Sequence, residues 1–121
     1  DCKVHEFLDR MDLAYACADL AVARAGAITI SELSAVGKPA ILVPLPTAAE
    51  DHQTRNARAL TDRGAAVLLS DADAPLRLGS VVTELARDAR ALERLRLAIA
   101  GLAMPDAAQA IAAEVIRLAR P

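Results

Sequence analysis

The sequence predicts an α/β domain: a parallel sheet with helices flanking it. Three observations carry that expectation. Residues 20–23, 40–43 and 65–69 are short, continuously apolar runs separated by stretches with helical periodicity. Continuous rather than alternating apolarity belongs to strands covered on both faces, the state of a parallel sheet under helices. Gly and Pro punctuate the boundaries, so the alternation reads as βαβ units. The third observation is compositional: 55% of the 121 residues are apolar, much of this Ala, which suits helix propensity and close packing of helix on sheet. A chain of this length is the size of one domain and buries roughly two-thirds of its unfolded surface.

Taken in order, residues 4–7 read as an additional strand. Between residues 9 and 18, Met11, Leu13 and Tyr15 among alanines predict a short helix that leads into the first apolar run. A helix is expected near 29–36, because Thr29-x-x-Glu32 matches a capping box and Gly37 can stop the helix in a left-handed conformation. The same logic, with Thr47-x-x-Glu50 and Gly64, predicts a helix near 50–62 between the second and third runs. From Pro75 the strand signal ends. Leu92, Leu95, Ile99 and Leu102 repeat at 3-4-3 spacing, which predicts an amphipathic helix lying on the sheet. Met104-Pro105 breaks that pattern, and Asp106 can cap a last helix carrying Ile111, Val115, Ile116 and Leu118.

Composition also removes several classes of function. Phe7 and Tyr15 are the aromatic residues and the net charge is −2, so neither a stacking platform nor a basic footprint for nucleic acid is expected. Cys2 and Cys17 form no C-x-x-C pair and no dense disulfide framework, which favours a reduced, cytosolic setting. His5 and His52 lack cysteines at ligand spacing, so no structural metal is expected. No apolar run approaches the ~20 residues a membrane span requires, and DCKVHEF lacks a signal-peptide layout. The chain opens without Met on a strand-like segment, which reads as a piece of a longer protein.

In an open parallel sheet ligands bind beyond the carboxyl ends of the strands, at a topological switch point, so the loops after Ala23, Val43 and Leu69 are the places to search. The first loop offers Gly26 and a helix start whose unpaired N–H groups and positive dipole end favour an anion. Its single glycine fits neither a dinucleotide fingerprint nor a P-loop. The second loop concentrates Asp51, His52, Gln53, Arg55 and Asn56 where the next helix begins, either as a solvated polar turn or as part of a site. Adjacent strands would bring this cluster beside Glu32, and such convergence is how a small-molecule site is built. No Ser-His-Asp arrangement can be assembled, and Glu50 and Asp51 would diverge by about 100° on a helix. No general base is assigned.

The segment RAGAITISELSAVGKPAILVPLP, followed by DHQTRNA and preceded by EFLDRMDLAYACADLAV, resembles the signature block of the MurG family of glycosyltransferases over residues 6 to about 69. The resemblance implies a two-domain GT-B-type fold, with residues 1–121 as the C-terminal Rossmann-like half that holds UDP-N-acetylglucosamine. A separate N-terminal domain would face a lipid-linked muramyl-pentapeptide acceptor, in peptidoglycan synthesis at the cytoplasmic face of the membrane, as a peripheral protein. The implied reaction is inverting, with the acceptor's 4-hydroxyl displacing UDP. No cofactor is implied.

By the same resemblance, the backbone of Leu8 reads the uracil edge, with Phe7 and Met11 packing nearby. Arg24, Gly26, Ala27, Ile28, Thr29, Ile30 and Ser31 belong to the diphosphate-binding turn and helix start, with Ala27, Ile28 and Thr29 facing the diphosphate. Glu32 resembles the carboxylate that bonds the ribose hydroxyls, and Gln53 the amide that contacts the sugar, with His52 and Asn56 supporting that loop. His52 stands where family members often carry a second glutamine. Other readings stay open: Glu32 as a capping-box residue with Thr29, Arg24 as a strand-end surface charge, and Phe7 and Met11 as core. The same architecture also serves other UDP-sugar transferases, epimerases and nucleotide-sugar-binding subunits.

Overall fold

A computed structural model of the chain describes residues 2–46 and 51–119. Its elements in order are α1 (Met11–Cys17), β1 (Ala21–Ala23), α2 (Ala27–Ala35), β2 (Ala40–Leu42), α3 (His52–Thr61), β3 (Val67–Leu68), α4 (Ala74–Arg87), α5 (Ala89–Ala100) and α6 (Ala107–Ala119). The strands form one parallel sheet in the order β1-β2-β3, with Ala21 opposite Ala40, Ile41 opposite Val67 and Leu42 opposite Leu68. This is the expected α/β architecture. The described strands run in sequence without reversal, however, so the expected switch point is not among them. The loops at the carboxyl edge are neighbours because their strands are.

The continuous apolarity of the middle run has a direct cause. All of β2 is buried, and its side chains alternate between two cores. Ala40 and Leu42 join Leu33 of α2, Ala57 and Leu60 of α3, and Ile99 of α5 on one face. Ile41 and Val43 join Leu69 on the other face, under Leu78, Val81, Val82 and Leu85 of α4. The result is a helix, sheet, helix sandwich. α2 and α3 lie side by side on the same face, where two consecutive crossovers of one hand put them. Leu33, Ile41, Leu42 and Ile99 are fully buried, each worth about 1.5–3 kcal/mol relative to exposure.

Gly37 and Gly64 end α2 and α3 as expected, with φ of 61° and 65°. After α2, the Lys38 N–H bonds Leu33 O at 2.9 Å and the Gly37 N–H bonds Ser34 O at 3.1 Å, the paired closure of a Schellman motif. The turn after α3 repeats it through Ala65 to Leu60 and Gly64 to Thr61, both at 2.9 Å.

The structure departs from the sequence expectations at several points. Residues 4–7 form no strand among the described residues. With no ladder to join, Val4 and Phe7 stand 91% and 79% exposed, and Phe7 and Met11 are not core. The helix expected from Thr29 starts earlier: Gly26 is its N-cap, with extended backbone and no side-chain cap, so Thr29 lies inside the helix and the capping box does not form. Ala27, an excellent helix former, carries the first turn upstream. The Thr47 to Glu50 box lies outside the described residues, and α3 as described begins after Asp51, whose φ is 57°. Finally, α4 went unanticipated, although Pro75 in its first turn and the spacing of Leu78, Val81, Val82 and Leu85 mark an amphipathic helix. The helix predicted from Leu92 to Leu102 is α5, which buries Leu95 and Ile99 and lies against α2 and α4 as well as over the sheet. α6 follows Asp106, and its Ile111, Val115, Ile116 and Leu118 are exposed.

Candidate functional site

The site is built on the carboxyl edge of the sheet, where three loops meet. The first connects β1 to α2 through Arg24, Ala25 and Gly26. Because Gly26 has no side chain, it offers nothing to the first N–H groups of α2, which have no partner within the helix. Its φ of −68° is open to any residue, and an added Cβ would meet only Thr29 Oγ1 at 3.8 Å, an ordinary contact. Neither backbone nor internal packing demands glycine here. What glycine leaves is open approach to a helix start, flanked by exposed Ala27 and Ile28.

Two amides hold the neighbouring loops. Asn56 Nδ2 donates to Ala25 O at 3.1 Å, tying α3 to the turn before α2. The Leu45 N–H donates to Gln53 Oε1 at 2.9 Å, tying α3 to the loop after β2. With its oxygen engaged, Gln53 retains an NH₂ group with two donors. His52 is exposed in the first turn of the same helix.

Arg24 links all three loops. Its guanidinium donates to Val43 O and Pro44 O, each at 3.3 Å, and pairs with Asp71 beyond β3. Arg24 is therefore a half-exposed strand-end charge that also ties the neighbouring loops together. Asp71 is the residue that sequence reasoning missed, although the loop after Leu69 was one of the places it searched. Arg24 and Asp71 are about half and two-fifths exposed, so the pair itself is a modest term, and the carbonyl contacts matter as much.

Glu32 lies on α2, exposed, and accepts a hydrogen bond from Tyr15 Oη on α1 at 3.0 Å. Burial, followed by the Glu32 carboxylate, raises the Tyr15 pKa above that of an ordinary phenol and keeps it a donor. The capping role for Glu32 fails with the helix start at Gly26. Of the other residues expected in this turn, Ile30 packs against the core, and the Ser31 hydroxyl donates back to Ala27 O at 3.0 Å.

Leu8 and Met11 are 42% and 39% exposed in the segment around the start of α1. Leu8 lines a shallow groove of about 570 Å³ with Phe7, Asp9, Arg10 and Leu13. A second hollow of about 580 Å³ lies between the loops after β2 and β3, lined by Pro44, Pro46, Thr54, Arg58, Leu68 and Asp71. Of the polar cluster singled out after Val43, Asp51 also lines it, whereas His52, Gln53, Arg55 and Asn56 do not. Among the described residues no group of three His, Cys, Asp or Glu could hold a metal, and no helix is long and apolar enough to cross a membrane. The arrangement can receive an anion at the start of α2 and a diol at Glu32. It presents no activated nucleophile.

Comparison with known proteins gives a consistent set of relatives. The family model described as "Glycosyltransferase family 28 C-terminal domain" matches residues 1–111. A Porphyromonas gingivalis protein named UDP-N-acetylglucosamine:N-acetylmuramyl-(pentapeptide) pyrophosphoryl-undecaprenol N-acetylglucosamine transferase is 51% identical over 117 residues, covering 97% of this chain and 31% of that protein. A Salinibacter ruber protein of the same name is 49% identical, over 97% of this chain and 32% of its own length. The crystal structure of Acinetobacter baumannii MurG superposes with a TM-score of 0.87 at 35% identity, covering 95% of this chain and 35% of that one. This chain therefore spans about a third of the length of the relatives it matches.

Proposed function

Because this chain belongs to the glycosyltransferase family 28 C-terminal domain family, we propose that it is the donor-binding part of a transferase that moves N-acetylglucosamine from UDP-N-acetylglucosamine to a lipid-linked muramyl-pentapeptide. The observation that carries the reading is the open start of α2: glycine-capped, exposed and pinned by Asn56, with Glu32 further along the same helix. The N–H groups of Ala27, Ile28 and Thr29 receive the diphosphate, aided by the helix dipole. Uracil lies along the backbone of Leu8 with Met11 nearby, and the ribose hydroxyls bond Glu32. The free NH₂ of Gln53 addresses the sugar, while Arg24, His52 and Asn56 hold the loops around it.

The acceptor's 4-hydroxyl oxygen forms a bond to the anomeric carbon as the bond from that carbon to the diphosphate breaks, and the electron pair leaves with UDP. The start of α2 stabilises the charge that develops on the departing diphosphate. The hydroxyl proton passes to a base outside these 121 residues, in an N-terminal domain that also holds the acceptor at the cytoplasmic face of the membrane. The relatives' length and names support that division.

The test is discrimination. Gln53→Ala is expected to weaken binding of UDP-N-acetylglucosamine by roughly three- to tenfold, the scale of one hydrogen bond, with much less effect on UDP. Equal losses for the two ligands in calorimetry would remove the sugar contact from the account.

A further inference from the structure

We infer that Tyr15 is a positioning residue for nucleotide recognition: its hydroxyl fixes the Glu32 carboxylate in the orientation that receives the ribose diol. The inference rests on the reading of Glu32 as the ribose ligand. Tyr15 and Glu32 are 17 residues apart in sequence and belong to different helices, so the contact is made by tertiary packing. The Tyr15 ring packs against the core formed by Ala25, Leu33 and Leu42, which fixes its hydroxyl in space. Glu32 is exposed, and among the described residues this hydroxyl is its hydrogen-bond partner.

A carboxylate that holds two vicinal hydroxyls must present both oxygens to them at once. On an exposed glutamate three torsions oppose that arrangement, and ordering them on binding lowers affinity. A donor on Oε2 selects one orientation in advance. It leaves Oε1 and the remaining lone pair of Oε2 to accept from the diol. Tyr15 is suited to this task because a packed ring leaves few torsions of its own to order. Its helix also follows the segment that carries Leu8, so this contact joins the elements assigned to base and ribose.

Tyr15→Phe keeps the ring and removes the hydroxyl. In calorimetry the variant is expected to bind UDP about three- to tenfold more weakly while binding 2′,3′-dideoxy-UDP within about twofold of the unmodified protein. In a Glu32→Gln background the same change is expected to have no further effect on the ratio of the two affinities. If Tyr15→Phe leaves the ratio intact while Glu32→Gln reduces it, Tyr15 does not position the carboxylate. If its effect persists undiminished in the Glu32→Gln background, it acts on the nucleotide directly and the inference is again overturned. A ratio untouched by Glu32→Gln alone is a separate result: it removes the ribose assignment, and the inference falls with it.

Discussion

Arg24 closes the carboxyl edge of the sheet because one guanidinium reaches acceptors that follow both of the other strands. Removing it leaves the Val43 and Pro44 carbonyls and Asp71 to find water. Val43 is buried, so part of that loss is not recovered by solvent. Arg24→Ala is therefore expected to lower stability by about 1–2 kcal/mol in urea unfolding, and Asp71→Ala by less than about 1 kcal/mol, since it deletes only the half-exposed ion pair. A larger loss from Asp71→Ala would mean that the ion pair, not the carbonyl contacts, holds the edge. At this scale the sequence was legible in part. Arg24 could be singled out as a charge at a strand end, but its partner is 47 residues away, and neither periodicity nor spacing encodes such a pairing. Tyr15 and Glu32 pose the same difficulty: each was noticed, one as a helix marker and one as a candidate ligand, while their contact depends on how α1 docks beside α2.

At the scale of elements, local signals were read correctly where the backbone itself imposes a rule. Gly37 and Gly64 stop their helices because both adopt a left-handed conformation that other residues reach at a cost. The two turns differ in their surroundings. A Cβ on Gly37 would lie 3.3 Å from the Ala100 Cβ, where α5 crosses the end of α2, whereas one on Gly64 meets nothing within 4 Å. Gly64→Ala should thus cost about 1–2 kcal/mol through backbone conformation alone, and Gly37→Ala should cost more. Thermal melting of the two variants checks the order, and equal shifts would mean that α5 yields freely. The start of α2 differs from the sequence expectation for a physical reason. Thr29 and Glu32 satisfy the spacing of a capping box, but Ala27 and Ile28 extend the helix upstream, and a side-chain pattern carries no information about which of two compatible starts is used. The strand expected at residues 4–7 fails for a different reason: the segment pairs with neither open edge of the sheet, at β1 or β3, and so makes no ladder hydrogen bonds.

For the whole molecule, three parallel strands with α2, α3 and α5 on one face and α4 on the other bring the loops after β1 and β2 together at one edge. That architecture was legible because continuously apolar runs between amphipathic helices have few other ways to be buried. The site was legible as a location and as a set of residue types. Its supporting contacts, through Arg24, Gln53, Asn56 and Tyr15, emerged only once the loops were assembled. In the function proposed above, the glycine-capped start of α2 is an anion site for a nucleoside diphosphate. Titration of UDP into ¹⁵N-labelled protein, followed by backbone amide shifts, tests it most directly. The largest movements are expected at the N–H groups of Ala27, Ile28 and Thr29, with smaller ones at Leu8 and Glu32. Saturable shifts confined to Leu68, Ser70, Asp71 and Ala72, in the hollow beside β3, with the start of α2 unmoved, would contradict it.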